Sequence, residues 1–151
     1  AASDVYKRQD AVSAIVRLED MGVEPYLVAN SLVGVVAQRL VRTICPKCKE
    51  EVPAKASDKI AVGEDIKKVS IGKGCPYCNN TGYKGRIAVH EIILIDGTVR
   101  RMISRKAEID EIKEYLNLEQ GLETLQDQAV QLVKDGITTV AELNKIKVYS
   151  D

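Results

Sequence analysis

Cys45-Pro46-Lys47-Cys48 and Cys75-Pro76-Tyr77-Cys78 hold every cysteine of this 151-residue chain. Between them lie 75 − 48 − 1 = 26 residues. A two-residue spacer lets both thiolates of a pair face one ion. Two such knuckles close a tetrahedral, all-sulfur shell with no position left for water, as a structural zinc requires. The proline after the first cysteine of each pair fixes a φ suited to a tight turn. Other chemistries also use paired cysteines. Two disulfides need an oxidising compartment, and the sequence shows no signal-peptide pattern. A thioredoxin-type pair opens a helix in a βαβ unit, and neither pair is so placed. An iron–sulfur cluster takes four thiolates at other spacings. The expectation is one structural Zn2+ held by Cys45, Cys48, Cys75 and Cys78.

The segments flanking the knuckles read as strands. Residues 38–44 could extend the helix before them, but they end in β-branched residues and run straight into the first knuckle, so a strand is the preferred reading. Arg86 to Ile95 is a second strand, expected to pair antiparallel with the first, so that the metal module sits at the tip of a hairpin. The polar insert 49–74 reads as loop with at most one short helix, and 79–85 as turn material.

Further upstream, Asp10 caps a helix whose apolar stripe is Ala11, Ala14, Ile15 and Leu18, stopped at Gly22. Pro25 opens a second helix. Tyr26 to Ala37 is apolar on several faces, so this helix is expected to run to Ala37, largely buried, with Gly34 inside it. Downstream, Asp96 caps a helix to about Ser104, and another covers about Ala107 to Tyr115. A third spans Leu125 to Lys134, ended by Gly136. Thr138 or Thr139 caps the last, with Thr139 and Glu142 in the positions of a reciprocal capping box.

Composition narrows the function. Lys+Arg and Asp+Glu are both 22, so formal charge is zero, and there is no Phe or Trp and only six Tyr. Neither phosphate neutralisation nor base stacking is well served, which argues against nucleic acid as the principal partner. The longest apolar run is too short and too polar to span a bilayer. There is no G-x-x-x-x-G-K-[ST] phosphate cradle, and no nucleophile has a recognisable local partner, so no catalytic residue is assigned. His90, the only histidine, is expected to be a packed or partly exposed strand residue facing away from its neighbour Glu91. Arg39, Arg42 and Arg86 should cluster on the hairpin as a solvated face, or as a contact to an anion or a neighbouring subunit.

Several stretches together resemble the ATPases of type II secretion and type IV pilus assembly: Asp10-Ala11-Val12-Ser13-Ala14-Ile15, then Gly22-Val23-Glu24-Pro25-Tyr26-Leu27-Val28, then Ala37-Gln38-Arg39-Leu40-Val41-Arg42. The second knuckle with Thr81-Gly82-Tyr83-Lys84-Gly85-Arg86, and Gly136-Ile137-Thr138-Thr139 with Glu142, continue the likeness. The resemblance implies an α/β fold: the C-terminal part of a RecA-like ATPase domain (10–44 and 86–95), an inserted tetracysteine zinc module (45–85), and a C-terminal helical subdomain (96–151). It implies a cytoplasmic homo-hexamer, peripheral to the inner membrane, that acts on a platform protein there. ATP and Mg2+ would be bound by family motifs upstream of these residues, so this chain alone is not expected to hydrolyse ATP. Only the four cysteines carry over as ligands; Gln38, Arg39 and Arg86 match family positions without an assigned role. The family's threonine- and histidine-containing box runs directly into the equivalent of Asp10-Ala11. Val5-Tyr6-Lys7-Arg8-Gln9 stands there instead, so residues 1–9 are expected to be a non-native tail. The rival reading is a free-standing zinc ribbon that binds nucleic acid or protein, through a basic knuckle surface of Lys47, Lys49, Lys73 and Lys84.

Overall fold

A computed structural model describes residues 10–147; the expectations for residues 1–9 and for 148–151 fall outside them. In chain order the elements are α1 (Ala11–Asp20), α2 (Pro25–Ser31), β1 (Gly34–Ile44), β2 (Lys49–Pro53), α3 (Ala56–Val62), β3 (Lys68–Gly72), β4 (Tyr83–Leu94), α4 (Gly97–Ser104), α5 (Ile109–Glu119), α6 (Leu125–Lys134) and α7 (Val140–Lys147). The fold is a mixed α/β one with two two-stranded sheets, β1–β4 and β2–β3. Ile95 N–H donates to Val33 O near one end of the first sheet, and Cys45 N–H donates to Gly82 O near the other. Those two pairings fix β1 and β4 as antiparallel, as the sequence suggests. The chain divides into two compact units: residues up to Ala37 with His90–Thr124, and Gln38–Val89 with residues from Leu125 onward.

In the first unit Asp10 caps α1 as expected, accepting from both the amide and the hydroxyl of Ser13 at 2.7 Å. Lys113 of α5 pairs with the same carboxylate at 2.9 Å. Ala11, Val12, Ala14 and Ile15 turn inward, and Gly22 ends the helix with φ +87°. The long helix expected over 25–37 is shorter: α2 stops at Ser31 and Gly34 opens a strand. Asn30 bonds back to Tyr26 O at 2.8 Å. Beyond it, Val33, Val35 and Val36 have β-branched side chains that fit a pleated strand better than a helix. Nor is the stretch largely buried, since Tyr26 is 57% exposed and Val36 60%. Asp96 caps α4, accepting from Thr98 and Val99 amides at 2.9 Å, and also holds Tyr115 Oη at 2.8 Å and Gln120 Nε2 at 3.1 Å. The helix expected from Ala107 starts at Ile109 and continues to Glu119. Ile93, Val99, Ile103, Ile112 and Leu116 complete this core.

In the second unit the insert is not mainly loop. β2 and β3 form an antiparallel hairpin with Lys49 opposite Gly72 and Val52 opposite Val69, and α3 lies at its turn. Charge conceals these strands in the sequence, because lysines in and just after β3 pair with glutamates of β2: Lys73 with Glu50 at 2.8 Å and Lys68 with Glu51 at 3.8 Å. Val69 and Ser70 are buried, and β3 and α3 pack on α6. α6 occupies the expected residues, and Gly136 follows it with φ +69°. The capping box of α7 is half as expected. Thr139 Oγ1 accepts from the Glu142 amide at 3.3 Å. The Glu142 carboxylate instead meets Arg42, accepting from its amide at 2.9 Å and from Nε at 3.0 Å. Lys145 donates to it at 2.8 Å. Arg42 also lies 3.9 Å over the Tyr83 ring, whose hydroxyl bonds Thr139 at 2.7 Å.

Candidate metal centre

Each cysteine follows or precedes a strand end within the second unit. Cys45 comes directly after β1, and Cys48 directly before β2. Cys75 opens a single 3-10 turn, Pro76–Cys78, between β3 and β4. The ladders therefore set where the sulfurs can go. Cys45 is held by Gly82, and Cys48 O accepts from Lys73 N–H at 3.1 Å.

The four sulfurs lie within 4.8 Å of one another. Cys45 to Cys75 is 3.8 Å, Cys48 to Cys78 is 3.8 Å, and Cys75 to Cys78 is 3.7 Å. A tetrahedral shell with metal–sulfur bonds of about 2.3 Å places its sulfurs about 3.8 Å apart. A disulfide needs about 2.05 Å, and all four cysteines are free. The donor set and its spacing thus fit one tetrahedral metal ion. A closed shell of this kind holds backbone in place and leaves no open position at which to activate water.

Backbone amides point at the sulfurs. Gly74 N–H donates to Cys48 Sγ at 3.3 Å, while Cys75 and Gly82 N–H donate to Cys78 Sγ at 3.3 and 3.2 Å. Burial opposes ionisation of Cys78, but the amides of Cys75 and Gly82 outweigh it and draw its thiol down to about 6. Burial pushes Cys48 up to about 12, and the neighbouring sulfurs push the same way against the Gly74 amide. A dication placed among closely spaced sulfurs favours their thiolate form.

Two glycines make the close approach possible. A Cβ on Gly82 would fall 2.4 Å from Gly72 O, and one on Gly72 would fall 2.0 Å from Gly82 O. The end of β3 and the exit of the second knuckle touch backbone to backbone, and no other residue fits at either position.

None of the other residues singled out in the sequence is one of the four grouped donors. His90 is half-buried in β4 and belongs to the first unit. Arg42 is engaged by Glu142, which removes it from an open cationic face. Arg39 is half-buried, and Gln38 and Arg86 are exposed. Of the basic knuckle surface, Lys73 is paired with Glu50, and Lys84 sits 4.9 Å over the Tyr77 ring. Sequence reasoning missed Glu91, 3% exposed, which accepts the Ala11 amide at 2.6 Å at the start of α1. Strand alternation could have found it, because it shares the inward phase of Val89 and Ile93. It also missed the partnership of Arg42 with Glu142, 100 residues apart, for which no local signal exists.

Among the described residues no helix is long and apolar enough to cross a membrane. A family model described as type II/IV secretion system protein matches residues 7–145. The type II secretion system ATPase E of Vibrio cholerae is 37% identical over 139 residues, covering 90% of this chain and 27% of that protein. The type IV pilus assembly ATPase PilB of Thermus thermophilus is 39% identical over 139 residues, 89% of this chain and 16% of its own length. A type II secretion system protein E of Aeromonas hydrophila is 45% identical over 96 residues, 62% of this chain and 19% of its own length. The chain therefore spans about a quarter or less of the curated relatives it matches. With a family match running from Lys7 through the cysteine cluster to Lys145, the chain belongs to the type II/IV secretion system protein family.

Proposed function

We propose that this chain is the C-terminal portion of an ATPase that powers type II protein secretion or type IV pilus assembly, and that it contributes the metal-braced part of that motor. The observation that carries the proposal is the family match, which is continuous across the four-cysteine cluster. In this reading residues 10–44 and 86–95 end a RecA-like core, 45–85 form the zinc module, and 96–151 form the C-terminal helical subdomain. Zn2+ is the ion, held by Cys45, Cys48, Cys75 and Cys78, because borderline-soft thiolates in a closed tetrahedron suit it. Its role is to brace. ATP and Mg2+ are bound by the rest of the parent protein, since no phosphate-cradling loop lies in this sequence. The working assembly is a cytoplasmic homo-hexamer acting on an inner-membrane platform protein.

Two experiments test this. Elemental analysis of protein purified without chelator should find about one zinc per chain. Residues 10–147 can also replace the matching segment of the Vibrio cholerae ATPase or of the Thermus thermophilus PilB, each in a strain lacking its own copy. Restored secretion or restored pili is expected from at least one chimera. Chimeras that fold, bind metal and hydrolyse ATP, yet restore neither process, overturn the proposal.

A further inference from the structure

The first unit carries an open groove of about 390 Å³ lined by Asn30, Gly97, Arg100, Arg101, Ser104 and Arg105. Its arginines are held in ways that fix their positions without cancelling most of their charge. Arg100 donates from Nε to Ala29 O at 3.0 Å and from Nη2 to Ile95 O at 3.4 Å, both neutral carbonyls. Arg101 donates from Nη2 to the neutral hydroxyl of Thr98 at 2.9 Å. Only Arg105 meets a carboxylate, that of Glu111. A guanidinium has five N–H groups; these bonds use two of those of Arg100 and one of those of Arg101, and both side chains line the groove. The nearest helix-capping carboxylate, Asp96, is already occupied by two amides, Tyr115 and Gln120.

Gly97 adds a second observation. It is not among the positive-φ glycines, and a Cβ there would meet nothing nearer than Arg101 Nη1 at 3.8 Å. Neither backbone conformation nor tight packing requires glycine at this position. It lines the groove beside Arg101.

We propose that this groove binds a phosphate-bearing small molecule, with Arg100 and Arg101 as the charged donors and Asn30, whose Nδ2 keeps one N–H beyond its bond to Tyr26 O, as a neutral one. Planar guanidinium forks match tetrahedral oxyanions, and arginines already anchored lose little freedom on binding. The groove shares no residue with the cysteine cluster, and the proposal stands whether or not the motor assignment does.

The test is a titration of the chain with inorganic pyrophosphate, followed by backbone amide NMR shifts. Saturable shifts confined to residues around 30 and 97–105 are expected. Arg101→Glu should weaken binding roughly tenfold or more, the loss of one or two charge-assisted bonds, while Lys67→Glu in the second unit should leave it unchanged. Ser104→Glu, which adds a negative charge and removes no arginine, should do the same as Arg101→Glu if the latter disturbs folding. No localised shifts, or equal weakening by Arg101→Glu and Lys67→Glu, overturns the proposal. A parallel arm uses vesicles containing phosphatidic acid. Binding to vesicles without any pyrophosphate shift overturns it in favour of a lipid surface.

Discussion

Gly82→Ala puts a methyl group where the two backbones touch, and its effect can be worked out from the geometry. The added Cβ falls 2.4 Å from Gly72 O, and an ordinary close contact is no shorter than about 3.0–3.4 Å, so the chains must separate by about 0.6–1.0 Å. The obstacle is backbone, which cannot swing aside as a side chain would. The φ of +78° adds strain for any residue with a Cβ, about 1–2 kcal/mol. Overpacking of this kind costs about 1–3 kcal/mol, giving about 2–5 kcal/mol in all. The N–H of Gly82 donates to Cys78 Sγ and its carbonyl accepts from Cys45 N–H, so the displacement reaches the sulfur cluster. Disturbing a bond to a metal ligand lowers metal affinity by roughly 10–100-fold. The assay is a chelator competition for metal, beside urea unfolding of the metal-loaded protein. A Gly82→Ala variant with unchanged metal affinity and unchanged urea midpoint would refute the reasoning.

Two further predictions follow the same logic. Cys75→Ser removes one of four ligands, so metal content should fall well below that of the unmodified chain, and limited proteolysis should cut more readily within 45–85; unchanged metal stoichiometry would count against the cluster as the site. Glu142 is held below the ordinary carboxylate range: burial opposes this, but the Arg42 amide, Lys145 and the Arg42 guanidinium together prevail. A depressed folded pKa means that its contribution is full above the unfolded value near 4.5 and is lost as pH falls through the folded one. Because Arg42 is 43% exposed, solvent screens part of the pair, and Glu142→Gln should cost about 1–2 kcal/mol near neutral pH. That difference should shrink as pH drops below about 4.5, measured by urea unfolding across pH; a constant difference down to acid would contradict the assignment.

What could be read from the sequence was what local chemistry determines. The four cysteines announce their shell through spacing alone. α6 falls where its stripe of Leu125, Ala129, Leu132 and Val133 and its terminal Gly136 place it, and Asp96 caps α4 through its own side chain. The α2–β1 junction was harder, because an apolar stretch without clear alternation looks the same as buried helix or as strand. The β-branched valines decide it, helped by the pairing of Val33 with Ile95 across the sheet. The β2–β3 hairpin was hidden for the opposite reason. Its exposed positions carry lysine and glutamate, which are poor strand formers until they pair across the ladder. Glu142 was placed correctly at the start of its helix but given the wrong partner, since Arg42 arrives from the far end of the sequence. The resemblance named the family, while the residue chemistry independently singled out the four cysteines that lie together and could hold one metal ion.

The hairpin also has a kinetic meaning for the ion. Joining Cys48 to Cys75 across an unstructured stretch of 26 residues would carry a length-dependent closure entropy of about 3 kcal/mol. Because Lys49 lies opposite Gly72, strand pairing shares the work of that closure with the ion. Where the pairing holds without the ion, capture needs only the last few residues of each knuckle to turn inward. A chain that loses its ion should keep its ligands within reach, so reloading should run at a rate set by ion delivery and desolvation, with no renewed search by the chain.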